Sequence, residues 1–227
     1  MTTTLAPGAG LFERHRDTLE KAREAIRTRA YYSAYPESPS GKVYGEAAAG
    51  EGKAAFEARL GKPFALAQPA SGETAATERS PYGLPLGVQY PLADVDALIA
   101  ASQAAGKEWA NAAPETRAGV ALEALARINA RSYEMAHAVM HTTGQAFVMA
   151  FQAGGPHAQD RALEAVAYAY DELSRVPPSV VWEKPAKRGR PRRSTCAPAS
   201  RSRRSRGSTR ARSRWRTPSR TRAVRRS

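Results

Sequence analysis

Every acidic residue of this 227-residue chain precedes Lys184; the last is Glu183. Residues 1–186 carry 18 Lys+Arg against all 21 Asp+Glu, a net charge of −3, whereas residues 187–227 carry 17 Lys+Arg and no acid, a net charge of +17. The overall charge of +14 is an average over two kinds of sequence. The first has the apolar periodicity that a packed body needs. The second is Arg, Ser, Thr, Pro, Ala and Gly, with Trp215 and Val224 almost its only large apolar residues. Such a composition buries too little apolar surface to offset the entropy of ordering it. Residues 185–227 are therefore expected to form a disordered Arg/Ser/Pro-rich tail, and residues 1–184 to hold whatever folds.

The clearest rhythm in the first part runs over 114–176. Ala121, Leu125, Ile128, Ser132, Met135 and Val139 recur at alternating steps of four and three, one face of a continuous helix. Pro114 suits its first turn, where a missing N–H costs nothing, and Glu115 suits the positive end of the dipole. Gly144, after Thr142 and Thr143, is the natural left-handed stop. A short apolar segment over 145–152 follows, broken by Gly154, Gly155 and Pro156. Pro156 then opens a helix with Leu163, Val166, Ala167, Tyr170 and Leu173 at helical spacing, ended by Val176-Pro177-Pro178.

Upstream, Leu11, His15, Leu19, Ala22, Ile26 and Ala30 mark an amphipathic helix over 11–30. Tyr31, Tyr32 and Tyr35 follow among basic residues. Base stacking is one use for such aromatics; packing of a helix end on the body is the simpler one. Residues 36–45 are loop by composition. Residues 46–60 are Ala-rich and helix-prone up to Gly61, and 61–91 hold short extended pieces such as 86–90. Residues 92–109 are helical again. Asp94 caps that helix, Ala97, Ala100, Ala101, Ala104 and Ala105 permit close packing, and Trp109 is expected as a core anchor. The fold class is mostly α-helical with short strands.

No residue set for chemistry emerges. Gly45, Gly50 and Gly52 lack the following Lys-Ser/Thr and the preceding strand of a phosphate loop. His137 and His141 are four apart and suit a metal pair, but no third ligand lies nearby and Glu134 is poorly spaced; two helix histidines near a C-terminus is the simpler account. Cys196, the single cysteine, excludes an internal disulfide and receives no role. No Ser/His/Asp set and no Gly-x-Gly-x-x-Gly is present. Catalytic, cofactor-binding and metal-ligating residues are all assigned as none. No run approaches the ~18 apolar residues of a membrane span, and the first residues lack a secretory pattern, so a cytoplasmic location is expected.

One larger pattern remains. Asp94 and Asp96 at a helix start, an Ala-rich helix ending at Trp109, then Pro114, Arg117, the Leu122/Leu125 helix, Arg131 and Thr143-Gly144 resemble the N-terminal helices of the aldehyde dehydrogenase superfamily. More narrowly, HTTGQAFVMAFQAGGPHAQDRALEAVAYAYDEL (141–173) and YGEAAAGEGKAAFEARLGKPF (44–64) resemble its phenylacetic acid degradation (PaaN-like) branch. The resemblance covers residues 10–184. It implies an α/β parent fold in which these helices precede the dinucleotide-binding sheet. It also implies an NAD(P)-dependent oxidoreductase of aromatic catabolism, a homo-oligomer that oxidises a small aldehyde with NAD or NADP. In the family a cysteine attacks the carbonyl, a glutamate activates water and hydride passes to the nicotinamide. All of these residues lie beyond a Trp-Glu-Lys-Pro segment, here 182–185, and none is in this sequence. The chain is therefore expected to be an incomplete fragment that binds no cofactor and has no dehydrogenase activity.

The tail carries two readings. Arg, Ser, Pro, Ala, Thr and Gly are what a GC-rich gene yields out of frame, and the composition changes where the family enters its first sheet strand. Shifting the codons of 206–212 by two bases is compatible with a Trp-x-Tyr-Pro-Gly string that the branch shows there. The alternative is a helical protein whose basic arm binds nucleic acid, or polyanions non-specifically, by neutralising phosphates. A helical interaction module without chemistry is a third possibility.

Overall fold

The computed structural model describes residues 9–76, 78–177, 179–184 and 192–196. Its contacts divide the chain into a body that ends at Val176 and a second unit from Pro177. Along the body run α1 (Ala9–Thr28), the short α2 (Gly41–Tyr44), α3 (Ala48–Glu57), strands β1 (Ala70–Ala75) and β2 (Tyr90–Ala93), then α4 (Val95–Asn111), α5 (Pro114–Asn129), α6 (Ser132–Thr143), α7 (Phe147–Gly154) and α8 (Pro156–Ser174). β1 and β2 pair antiparallel, from Ala70 opposite Ala93 to Ala75 opposite Tyr90, with an irregular register between Ala70 and Thr74.

Two apolar clusters hold the body. The larger joins Phe12, Leu19 and Ala22 of α1, Ala118, Leu122 and Leu125 of α5, and Leu163 and Ala167 of α8, with Tyr35 packed into it. Helical periodicity places each set on one stripe of its helix. Leu19 and Leu122 are 0% and 1% exposed, and burying such a side chain contributes ~1.5–3 kcal/mol. The smaller cluster is aromatic: Tyr133, Ala136 and Phe151, with Tyr44, Ala48 and Phe147 against it. Tyr44 meets Phe151 at 5.4 Å and Tyr133 at 5.9 Å, both at 87°, the edge-to-face arrangement that ring quadrupoles favour.

Several expectations match. Asp94 accepts the Ala97 N–H at 3.0 Å as the cap of α4. Pro114 and Pro156 open α5 and α8, and Gly144 ends α6 in the left-handed region at φ 81°.

Others are corrected. The continuous helix expected across 114–143 turns at Ala130 and Arg131. The Ser132 hydroxyl donates to the Asn129 carbonyl at 2.8 Å and closes that turn. The two halves also serve different cores: α5 packs on α1 and α8, α6 on α3 and α7. The expected face therefore fails at its centre. Leu125 and Ser132 of that face are buried, but Ile128 between them is exposed, and Leu122, Tyr133 and Ala136, off that face, are buried. Trp109 is no core anchor: it is 48% exposed on a helix with no buried residue, where its ring meets the Arg117 guanidinium at 6.0 Å. Of the three tyrosines, Tyr35 is buried and Tyr32 packs on the larger cluster, but Tyr31 is 92% exposed. Within 36–45, Ser40 caps a single helical turn that composition did not reveal.

In the second unit β3 (Val180–Lys184) and β4 (Arg192–Cys196) pair antiparallel, from Val180 opposite Cys196 to Lys184 opposite Arg192. Of the 185–227 tail expected to be disordered, only this β4 stretch is described; the remainder lies outside the described residues. No helix among the described residues is long and apolar enough to cross a membrane.

Candidate functional site

Four polar clusters stand out among the described residues of the body. The first is centred on Asp160, which α8 presents to the chain leaving α1. Its carboxylate accepts the Ser33 hydroxyl and the backbone N–H groups of Ala34 and Tyr35, the latter two at 3.0 and 3.3 Å. Asp160 is 9% exposed, so these bonds are what make its burial tolerable. Burial, with the Asp160 charge, pushes the Tyr35 phenol up to about 12.

The second is Glu134 on α6, also buried. Arg131 donates to it from Nε at 2.7 Å and Nη2 at 2.8 Å, and Arg59 Nε donates as well. Arg131 above all, and Arg59 with it, hold this carboxyl below the usual carboxylate range. The third joins α1 to α5. Glu123 receives Arg14 Nη1 at 3.0 Å and Arg127 Nε at 2.8 Å, and His15 Nε2 lies 2.8 Å away. The hydrogen bond to His15, then those to Arg127 and Arg14, lower Glu123 to about 2.

The fourth contains the histidine pair. Phe56 of α3 stacks on both His137 and His141, and His141 Nδ1 lies 2.8 Å from Ser80 Oγ. A hydroxyl against an imidazole is the contact that a nucleophile and its base make. Here the Ser80 oxygen already accepts the Tyr82 N–H at 3.1 Å, a turn-capping role. Among the described residues no carboxylate is recorded orienting the ring.

Chemically, all three carboxylates are engaged by guanidinium, imidazole, hydroxyl or backbone donors, and none is set opposite a second carboxylate for acid–base work. No group of three metal-ligating side chains occurs among the described residues. His137 and His141 are thus brought together by packing. Cys196 ends β4 in the second unit. An open, apolar cavity of about 560 Å³ lies between α4 and α5, lined by Ala105, Gly106, Trp109, Ala112 and Val120.

Sequence spacing alone could not find the Ser80–His141 contact, the Asp160 cluster or the His15–Glu123 pair, because their partners lie 61, 125 to 127 and 108 residues apart. Two local signals belong to these clusters: Arg131 and Glu134 at i, i+3 in the second, and Glu123 and Arg127 at i, i+4 in the third.

No protein-family model matches the chain. No curated protein matches it. Among solved structures it is similar to the crystal structure of an NAD-dependent aldehyde dehydrogenase from Burkholderia multivorans, at 57% identity and a TM-score of 0.77. The similarity covers 82% of this chain and 33% of that one, so the chain spans about a third of the length of that relative. The helical body and its few strands therefore have the fold of part of an aldehyde dehydrogenase.

Proposed function

We infer that this aldehyde dehydrogenase-like chain supplies the helical portion of an NAD(P)-dependent oxidoreductase that oxidises a small aldehyde in aromatic, phenylacetate-type catabolism. The observation that carries the reading is the 57% identity over 82% of the chain to an NAD-dependent aldehyde dehydrogenase. The narrower branch rests on the 44–64 and 141–173 segments. The complete enzyme would be a cytoplasmic homo-oligomer using NAD or NADP.

The chemistry belongs to parts of that fold that this sequence does not include. Cysteine attack on the carbonyl, water activation by glutamate and hydride transfer to nicotinamide need groups converging within hydrogen-bond reach. The four polar clusters of the body are each closed on themselves. The chain by itself is accordingly inactive and binds no nicotinamide cofactor, and the abrupt basic composition from residue 187 is an out-of-frame reading of the enzyme's continuation.

The test is direct. The purified full chain is incubated with a small aromatic aldehyde and either NAD or NADP, and reduced cofactor is followed by absorbance. No aldehyde-dependent NADH or NADPH is expected; its formation would overturn the reading of an inactive portion.

The net charge of +17 over 187–227 favours one second reading, a helical body with a genuine polyanion-binding arm. It predicts salt-dependent, sequence-independent binding that is lost when residues 187–227 are removed. Any tail of that composition would bind polyanions in vitro, so the reading is decided by the gene and not by a binding curve.

A further inference from the structure

Two imidazoles one helical turn apart share a single aromatic ring. Phe56 of α3, 7% exposed, stacks on His141 with centroids 5.1 Å apart and planes at 4°, and on His137 at 5.9 Å and 21°. Phe147 of α7 meets His137 at 4.9 Å. His141 is tied in turn to the loop between β1 and β2. Its Nδ1 lies 2.8 Å from Ser80 Oγ, and the Tyr82 ring stands edge-on to it at 5.9 Å. The Tyr82 hydroxyl donates to the Gly144 and Gln145 carbonyls at 2.7 and 3.2 Å, just past the end of α6. The pair therefore holds α3 and the loop on α6.

The charges around it limit how many protons it can carry. Lys53 and Glu57 of α3 act on His137 with opposite charge and lie 3.8 Å from each other. Ser80 and Tyr82 on the loop and Phe147 on α7 are neutral. One imidazolium suits the place, near the negative end of α6 and beside an aromatic face. A second would stand one turn from the first, with the Lys53 ammonium nearby and Phe56 excluding water. Like charges in that setting repel strongly.

We propose that His137 and His141 form a charge-limited latch: with at most one proton between them they hold Phe56 and the Ser80–Tyr82 loop on α6, and a second proton opens the contact. Burial, then His141 and Lys53, lowers His137 below the ordinary histidine value. The sign follows. The folded state prefers neutral His137, so its contribution is complete above the unfolded value of 6.5 and is lost as pH falls below it. This inference uses α3, α6 and one loop, and does not depend on the function proposed above.

The experiment is an NMR titration of the four histidines of the full chain, from about pH 8 to about pH 5 across the histidine range. Amide-exchange protection of Tyr82 and Gly83 is read at each pH. His137 and His141 are expected to titrate in two steps separated by roughly tenfold or more in proton affinity, as coupled sites do. Protection at Tyr82 and Gly83 should fall roughly tenfold with the second step, the signature of local opening. Simultaneous titration overturns the proposal, and so do two steps with unchanged loop protection. In His137→Gln only one charge can form, and the loop should keep its protection throughout; loss at the same pH would contradict the latch. If that variant does not fold, the wild-type titration decides alone.

Discussion

Glu123 shows how much of a carboxylate's environment is local and how much is not. Its i, i+4 partner Arg127 is readable from spacing; Arg14 and His15 arrive from α1, more than a hundred residues away. Together they lower it to about 2, so its contribution is complete above its usual 4.5 and is lost as pH falls from 4.5 toward 2. Glu123→Gln should flatten the acid limb of a stability–pH curve in that window; an unchanged limb would show that the cluster does not act on folding. Tyr35 sets the opposite end. Its phenol is neutral in the folded body up to about 12 and ionises at 10 when unfolded, so stability should decline as pH rises above 10. Removing the charge that ties down the α1 exit, by Asp160→Asn, sets an amide beside the Ala34 and Tyr35 donors. A loss of about 1.5–3 kcal/mol in urea melts is expected for hydrogen bonds to a charged group.

At the scale of elements, the sequence carried helix ends better than helix faces. Asp94, Pro114, Gly144 and Pro156 act through short-range backbone chemistry, and each does what its residue type dictates. The break between α5 and α6 was not legible, because Ser132 fits a helical face as well as it closes a turn. What selects the turn is the existence of two cores. Trp109 misled for a related reason: a large aromatic at a helix end is usually an anchor, but α4 finds no cover among the described residues of the body. Glycines separate helices packed closely from those that are not. A Cβ on Gly52 would clash with Tyr133 Cβ and lie 2.9 Å from the Glu134 amide nitrogen, whereas one on Gly106 would meet nothing within 4 Å. Gly52→Ala should push α3 off α6 and cost ~1–3 kcal/mol. Gly106→Ala should stabilise α4 by ~0.5–1 kcal/mol. Thermal melts of the two variants moving in the same direction would contradict this division.

For the molecule as a whole, the body leaves Val95 and Ile99 exposed on α4, and Trp109 and Val120 exposed in the lining of an open apolar cavity. A body that presents such surface is expected to be weakly stable and to self-associate, with strong binding of a hydrophobic dye. A sharp cooperative melt of a monomer would contradict that expectation. The helical class and the aldehyde dehydrogenase likeness were legible because whole-segment patterns in 10–184 survive in the residues themselves. The closed polar clusters were not, since each is assembled by long-range packing. The central claim, that the chain is a portion of such an enzyme followed by an out-of-frame tail, is tested most directly by resequencing the encoding DNA from the codon for Val180 onward. The account predicts that a one- or two-base correction near Pro185 opens a long frame encoding a dinucleotide-binding sheet and a glycine-flanked cysteine. A confirmed frame with nothing homologous beyond it would contradict the account and make the basic arm genuine.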